Sequence, residues 1–346
     1  MQDIKLKEKP QDLHDVRQII AAIQSEIHKR IVGMDEVIGL VLVAMFASPG
    51  RNCHVLLEGV PGLAKTLLVK TLAETVEAGF RRISFAADLL PKDVVGIEEI
   101  DRNSGHVRLL VKGPLFANFL LADELNRART TSKGMILEPM EEGRVTTELG
   151  GTYALPDLFM VAATQNPIEE EGTFVLGRAE QDRFVMKILV DYPEAEQERD
   201  IIRSNVDKAE MPAVTPVVAA HTILDMRRII FEGVRIGNEI IDRVQQLVRL
   251  TRPGYSDVEE VNRYIDTEDG GGASPRAGIH ILRTARAHAA MNDRDFVSPE
   301  DISMVLQPVL RHRLLLRPEV AMNSMAEREA ILADIIDRIF QRVWSL

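Results

Sequence analysis

The spacing of apolar residues at the start of the chain predicts two helices. Between residues 12 and 30, four isoleucines recur at helical intervals, and Gly33 follows as a stop signal. A second helix is expected to begin near Asp35 and to bury the apolar run 37–46 before Pro49-Gly50 breaks the chain.

Beyond these helices the pattern changes to short apolar runs with the character of strands. There are five of them: His54–Leu57, Arg82–Phe85, Phe119–Ala122, Leu158–Ala163 and Phe184–Val190. Four show little polar alternation, which indicates burial on both faces, as in a parallel sheet. The segments between them are long enough for crossover helices, so the pattern predicts a doubly wound α/β fold.

Two insertions and a helical C-terminal half complete the pattern. Residues 96–112 and 144–155 are each typical of a β-hairpin. After about residue 200 the chain is nearly all helical, interrupted by the glycine-rich surface loop 266–272. Ser274-Pro275 and Ser298-Pro299 each predict an N-cap followed by proline at the first helical position.

Composition narrows the class of protein. The 346 residues carry a formal charge of −11, which argues against broad non-specific binding to nucleic acid or anionic membranes. The longest uncharged stretch, 37–50, has 14 residues and is too short to span a bilayer, and the N-terminus lacks the apolar core of a signal peptide. A single cysteine, Cys53, excludes an intrachain disulfide. We therefore expect a cytoplasmic protein.

The segment GVPGLAKT, residues 59–66, is a phosphate-binding loop pattern placed between a predicted strand and a predicted helix. Backbone N–H groups and the helix N-terminus would bind the β-phosphate. Lys65 would reach the β- and γ-phosphates, and the Thr66 hydroxyl would ligate Mg²⁺.

Ala64 departs from the usual pattern, in which glycine precedes the lysine. A left-handed conformation costs an L-residue about 1–2 kcal/mol. We therefore expect a negative φ at residue 64, so that the Ala64→Gly variant keeps nearly the same affinity for nucleotide.

Two carboxylates, Asp123 and Glu124, end the third predicted strand. Neighbouring strand residues point to opposite faces, so the two acids need not share one task. We expect Asp123 to belong to the Mg²⁺ shell and Glu124 to activate the attacking water as general base.

Three further polar residues are candidates because of their places in the order of elements. Asn166, at the tip of the fourth predicted strand, could orient the lytic water. Arg183, at the start of the fifth, could reach the γ-phosphate of a neighbouring subunit. Arg276 lies in the first turn of a helix, where the helix dipole disfavours a cation, and this indicates a nearby anion, for which we expect the γ-phosphate.

These motifs, in this order, resemble those of the MoxR family of AAA+ ATPases, in the clade with a helix-2 insertion. The resemblance covers the chain from about Ile19 to the C-terminus. The matching segments are GVPGLAKT (59–66), LLADELNRA (120–128), MEEGRVT (140–146), VAATQNPIEEEGTF (161–174), QDRF (181–184) and GASPRA (272–277). It implies an AAA+ P-loop core with a five-stranded parallel sheet over residues 1–198, and an all-helical lid domain over residues 199–346.

The resemblance also implies roles for individual residues. Lys65 and Thr66 are the Walker A pair, Asp123 and Glu124 the Walker B pair, and Thr66 and Asp123 the ligands of Mg²⁺. Asn166 is sensor 1, Arg183 the arginine finger and Arg276 sensor 2, with action in cis or in trans left open for Arg276. The residues expected to contact ATP are Val32, Gly33, Gly59, Pro61, Gly62, Leu63, Ala64, Lys65, Thr66 and Leu67.

A hexameric ring is implied as well, in which each site is completed by a neighbour. The leading hypothesis is a chaperone-like motor that remodels or matures a partner protein or metalloenzyme, together with a separate von Willebrand factor A-domain protein. Neither nucleic acid nor direct membrane insertion is expected. The alternatives are a magnesium-chelatase-like motor subunit, a nucleic-acid motor, and a scaffold that binds nucleotide without hydrolysing it.

Overall fold

The structure, a computed structural model, describes residues 9–50, 53–85, 89–100, 107–147, 149–165, 176–207, 211–268 and 270–345. Its strands are β1 (Val55–Glu58), β2 (Phe80–Ser84), β3 (Gly96–Ile100), β4 (Val107–Lys112), β5 (Phe119–Asp123), β6 (Arg144–Thr146), β7 (Thr152–Ala154), β8 (Met160–Gln165) and β9 (Met186–Leu189). Its helices are α1 (Leu13–His28), α2 (Asp35–Phe46), α3 (Lys65–Thr75), α4 (Pro91–Val95), α5 (Thr130–Glu142), α6 (Arg178–Gln181), α7 (Ala195–Asp207), α8 (Ala220–Gly233), α9 (Asn238–Leu250), α10 (Glu259–Tyr264), α11 (Pro275–Met291), α12 (Pro299–Leu310), α13 (Pro318–Ala321) and α14 (Met325–Trp344).

Five strands form one parallel sheet in the order β2-β5-β8-β1-β9. They are the five strands that the apolar runs predict, and the prediction of a parallel sheet is confirmed. β1 lies between β8 and β9, with Val55 opposite both Ala162 and Met186. Because all five strands run the same way, the loops after β1, β5 and β8 meet at one edge of the sheet.

Alternate residues of the central strands enter two separate cores. On β1, Val55 and Leu57 pack with α1, α2, α3 and the C-terminal helices, whereas Leu56 packs on the opposite face with α5 and the second hairpin. On β5, Phe119 and Leu120 divide in the same way. Burial on both faces explains why these runs lack polar alternation.

The two predicted hairpins are present as β3–β4 and β6–β7. Glu98 on β3 joins them, because it accepts hydrogen bonds from the Thr147 hydroxyl and from the Tyr153 hydroxyl at 3.3 Å. The insertions thus form one unit beside α4 and α5.

The C-terminal half of the described chain is helical, as predicted, and Ser274 and Ser298 are the N-caps of α11 and α12. α11 packs against α1, α2, α9 and α12. The division at residues 198 and 199 stays a prediction. Among the described residues, no helix is both long enough and apolar enough to cross a bilayer.

Candidate active site

The loop between β1 and α3 contains the predicted phosphate-binding residues. Gly59 begins it in contact with Val190, the residue after β9. A Cβ atom at residue 59 would lie 2.2 Å from the Val190 carbonyl oxygen, so only glycine fits. Gly62 has a φ of 89°. The loop leads directly into α3, whose first residue is Lys65.

The expectation of a negative φ at Ala64 is wrong. Ala64 has a φ of 50° and a ψ of 17° and is the N-cap of α3. The loop must turn sharply from strand into helix, and left-handed residues within such a turn direct successive N–H groups into one concave surface. The tertiary requirement therefore outweighs the local cost of about 1–2 kcal/mol.

Lys65 is held inside this loop, with 8% of its surface exposed. Its ammonium Nζ donates to the Gly59 carbonyl oxygen at 2.5 Å and to the Val60 carbonyl oxygen at 3.1 Å. Burial lowers the pKa of Lys65, while Asp123 and Glu58 oppose that shift. The result is a positioned cation at the start of a helix.

Asp123 ends β5 beside this loop. Its Oδ1 accepts from the Thr164 hydroxyl at 2.5 Å, and its Oδ2 accepts from Arg82 Nε at 3.0 Å. Both partners lie on neighbouring strands, β8 and β2, so the sheet itself orients the carboxylate. Sequence reasoning missed Arg82 and Thr164 because only the strand order brings them to Asp123.

Glu124 follows with a φ of 56° and starts a 3₁₀ turn. Its N–H donates to the Thr164 hydroxyl at 2.9 Å, and its Oε2 lies 3.0 Å from Arg127 Nη1. The left-handed backbone of Glu124 ends the alternation of side chains between the two faces of the sheet. For this reason Asp123 and Glu124 line the same cleft instead of opposite faces of the sheet.

One cleft of about 490 Å³ brings these predicted residues together. That volume lies within the range of about 300–1,000 Å³ typical of ligand sites. The residues lining it are Pro61, Gly62, Leu63, Ala64, Lys65, Thr66, Leu67, Lys70, Arg82, Asp123 and Glu124. The Thr66 hydroxyl and the Asp123 carboxylate are oxygen donors of the kind that Mg²⁺ takes when phosphates and waters supply its other ligands, so the donor set fits this ion.

A buried ionic network supports the cleft from behind. Glu58, the last residue of β1, accepts from Gln165 Nε2 at 2.5 Å and pairs with Lys187 Nζ at 3.1 Å. Lys187 also donates to Glu329 Oε1 on α14 at 3.0 Å. This network, which the motifs did not predict, links the residue before Gly59 to the last helix. The only hint in the sequence is a lysine inside an otherwise apolar strand.

The two predicted arginines, Arg183 and Arg276, meet at a second location. Glu141, in the last turn of α5, pairs through Oε1 with Arg276 Nη1 at 2.9 Å and through Oε2 with Arg183 Nη2 at 3.6 Å. Asp182 Oδ2 lies 3.7 Å from Arg276 Nε, and Asp182 Oδ1 accepts from the buried Arg313 Nε at 2.8 Å. Burial lowers the pKa of Arg313 to about 10, and Asp182 opposes the shift.

We call these five side chains, Glu141, Asp182, Arg183, Arg276 and Arg313, the arginine cluster. The anions beside Arg276 within the chain are the carboxylates of Glu141 and Asp182, and its predicted contact with the γ-phosphate stays a prediction. Arg183 precedes β9, and β9 pairs in parallel with β1, which leads into the phosphate loop. The arginine cluster thus lies near the amino ends of the strands, and the cleft lies at the carboxyl ends of the same sheet. Four strand residues separate these edges by at least about 10 Å.

Four other predicted residues do not line the cleft. Asn166 lies outside the described residues. Val32, Gly33 and Gly59 do not belong to the lining of the cleft. Gly33 has a φ of 69°, and a Cβ atom there would lie 2.6 Å from Gln197 Oε1 on α7.

Two family models match the chain, one in the region of the parallel sheet and one in the helical C-terminal region. Residues 54–186 match the model of the "ATPase family associated with various cellular activities (AAA)". Residues 270–335 match the model of the AAA lid domain. The first match contains the phosphate loop, both acids of the cleft and Arg183, and the second contains Arg276 and Arg313.

Similar proteins align over nearly the whole chain. The chain is 38% identical to chaperone MoxR1 of Mycobacterium tuberculosis, over 88% of this chain and 80% of that protein. It is 31% identical to the protein MoxR of Methylorubrum extorquens, over 96% of each. A crystal structure of a Cytophaga hutchinsonii protein assigned as an ATPase superposes with a TM-score of 0.81 at 38% identity, covering 94% of this chain and 95% of that one.

Proposed function

Because the chain belongs to the MoxR family of AAA+ ATPases, we propose that it hydrolyses Mg-ATP in a hexameric ring in the cytoplasm and uses the energy to remodel or mature a partner protein or metalloenzyme. A separate protein with a von Willebrand factor A domain would act with it. The observation that carries the proposal is the single cleft lined by Lys65, Thr66, Asp123 and Glu124.

Within the cleft, each residue has a distinct task in the proposed reaction. Lys65 and the N–H groups of the loop bind the β- and γ-phosphates. Thr66 and Asp123 would hold Mg²⁺, which neutralises the charge that develops on the phosphate oxygens when it is bound. Glu124 accepts a proton from the attacking water. The role of Asn166 as sensor 1 stays a prediction.

The arginine cluster supplies the second half of the proposed site. Its position toward the amino ends of the strands supports action of both Arg183 and Arg276 on a neighbouring subunit's nucleotide. A head-to-tail contact of this kind repeats from subunit to subunit and closes into a ring. The exposed fraction of the Arg276 side chain, 44%, leaves room for such a partner.

The partner is proposed to be a protein. The net charge of −11 disfavours a nucleic-acid track. The names of the relatives describe a chaperone and MoxR proteins, which supports a remodelling task.

The test is to compare Mg-ATP hydrolysis and native mass for the wild-type chain and for Glu124→Gln, with Glu138→Gln on the exposed surface of α5 as the control. We expect Glu124→Gln to bind ATP, to assemble, and to turn over at least about 100-fold more slowly. Proteins that copurify with this variant in ATP would identify the client. Equal turnover in the two variants would contradict the role of Glu124, and a monomeric mass in ATP would contradict the ring.

A further inference from the structure

Glu141 lies at the point where the two candidate trans-acting arginines meet. Its two carboxylate oxygens contact different residues, one Arg276 at 2.9 Å and the other Arg183 at 3.6 Å. Arg183 comes from the turn before β9, and Arg276 comes from the first turn of α11. A single carboxylate therefore joins the turn before β9 to the first turn of α11.

Two guanidinium groups this close repel each other unless an anion lies between them. Arg183 has a further contact with α5, because its Nη1 donates to the Leu137 carbonyl oxygen. Arg276 has a further contact with Asp182 at 3.7 Å. Both side chains are thereby held on the surface formed by the end of α5 and the turn before β9.

The charges of the arginine cluster suit a phosphate partner. The cluster contains three guanidinium groups and two carboxylates, so one positive charge remains in excess. Arg313 is almost fully buried, while Arg183 and Arg276 are partly exposed. The excess charge is therefore available at the two exposed arginines, which are already oriented.

We propose that Glu141 is a positioning residue that holds Arg183 and Arg276 together as one unit for the γ-phosphate of the neighbouring subunit. The inference rests on the proposed function, because it requires a site shared between subunits. Glu141 acts through the arginines and does not touch the nucleotide. Its removal should slow the chemical step and leave ATP binding in the variant's own cleft unchanged.

The chain offers a matched control, since the next residue, Glu142, is also an acid. Glu142 is exposed and its Oε2 accepts from Arg144 Nε at 3.1 Å. Within the described part of the chain, no ion pair joins Glu142 to Arg183 or Arg276. We expect Glu141→Gln to lower kcat for ATP about 10-fold to 100-fold with unchanged KM, because small misplacements of catalytic groups have effects of that size. Glu142→Gln should keep the wild-type kcat.

Subunit mixing separates a positioning role from a structural one. Glu124→Gln subunits are expected to hydrolyse ATP at least about 100-fold more slowly but carry an intact Glu141, whereas Glu141→Gln subunits carry an intact cleft. In mixed rings some Glu141→Gln clefts face the arginines of a Glu124→Gln neighbour. We expect these mixtures to hydrolyse ATP faster than either variant alone, and a folding defect would not be rescued in this way.

Glu141→Asp provides a second variant, because it keeps the charge and shortens the reach. We expect a smaller loss of kcat, about threefold, with recovery on mixing. If Glu141→Gln did not fold, the same test would compare kcat for ATP between Glu141→Asp and Glu142→Asp.

Two results would overturn the inference. One is equal kcat for Glu141→Gln and Glu142→Gln. The other is that mixing with Glu124→Gln subunits restores ATP hydrolysis to an Arg183→Ala variant but does not restore it to Glu141→Gln. If neither Arg183→Ala nor Glu141→Gln recovered, the shared site of the proposed function would fail as well.

Discussion

The cleft and the arginine cluster are built in different ways, although both have charged residues at the ends of the same sheet. The cleft takes most of its residues from two short segments, the phosphate loop and the end of β5. The arginine cluster gathers five residues from α5, from the turn before β9, from the start of α11 and from the turn after α12. The first is local in sequence, and the second depends on how distant elements pack.

The two regions also differ in how far each is complete within one chain. Lys65 is 8% exposed and hydrogen-bonded to its own loop, so its position is set inside the subunit. Arg276 is 44% exposed, and the described residues that form ion pairs with it are Glu141 and Asp182. These differences are those that the proposed shared site requires, in which one subunit supplies a finished pocket and the next supplies an oriented pair of cations.

Arg183→Ala is expected to have the largest effect. Removal of an arginine that stabilises charge on a transferring phosphate costs about 10³-fold in kcat. Because Arg183 does not line the cleft of its own chain, affinity for ATP should be unchanged in equilibrium binding with a fluorescent analogue. Arg144→Ala, at the same corner of the fold, is the control. A loss of ATP affinity in Arg183→Ala would contradict the view that the arginine cluster plays no part in nucleotide binding by the cleft of its own chain.

Lys65→Ala should produce the opposite pattern. It removes the buried cation of the cleft, so the bound phosphates lose their charged partner. The loss of one member of a buried charge pair costs about 2 kcal/mol or more, and nucleotide binding should therefore weaken at least about 30-fold. Lys29→Ala, which removes a surface pair with Glu26, should bind ATP normally. Isothermal titration of both variants is the measurement, and unchanged affinity in Lys65→Ala would contradict the assignment of the cleft.

Arg82→Gln tests how the sheet presents Asp123 to Mg²⁺. Arg82 occupies Asp123 Oδ2, so its removal should free that oxygen and lower the Mg²⁺ concentration needed for half-maximal ATP binding. Half-exposed ion pairs are worth about 1 kcal/mol, which corresponds to about a fivefold shift. The adjacent Arg81 contacts the Phe80 carbonyl instead, so Arg81→Gln should show no shift. A higher Mg²⁺ requirement in Arg82→Gln would contradict this prediction, because it would mean that the orientation Arg82 gives the carboxylate matters more for Mg²⁺ than the oxygen that Arg82 occupies.

Ala64→Gly is expected to have the smallest effect, and a favourable one. Glycine tolerates the left-handed conformation of residue 64, so the free energy of unfolding should rise by about 1 kcal/mol in urea titrations. Ala73→Gly, within α3, should lower it by a similar amount or more because glycine is unfavourable inside a helix. Destabilisation by Ala64→Gly would indicate that Ala64 has packing contacts that outweigh its strain.

Much of the fold and of the cleft could be predicted from local patterns. Apolar runs on both faces of a strand identify buried parallel strands, and a loop of fixed length between strand and helix identifies a phosphate site. Lys65, Thr66, Asp123 and Glu124 were accordingly predicted from their neighbours in the chain. The backbone conformation of Ala64 was mispredicted because the turn between β1 and α3 imposes it. The propensity of a single residue carries no information about that turn.

The sequence by itself determined the five strands, the two hairpins, the helical C-terminal half and most residues of the cleft, because each of these depends on short-range spacing. The tertiary structure alone decided that Arg82 and Thr164 orient Asp123, that Glu58 and Lys187 connect the cleft to α14, and that Glu141 joins Arg183 to Arg276. Those contacts link residues about 40 to 140 positions apart. They follow from strand order and helix packing, which a linear pattern does not specify.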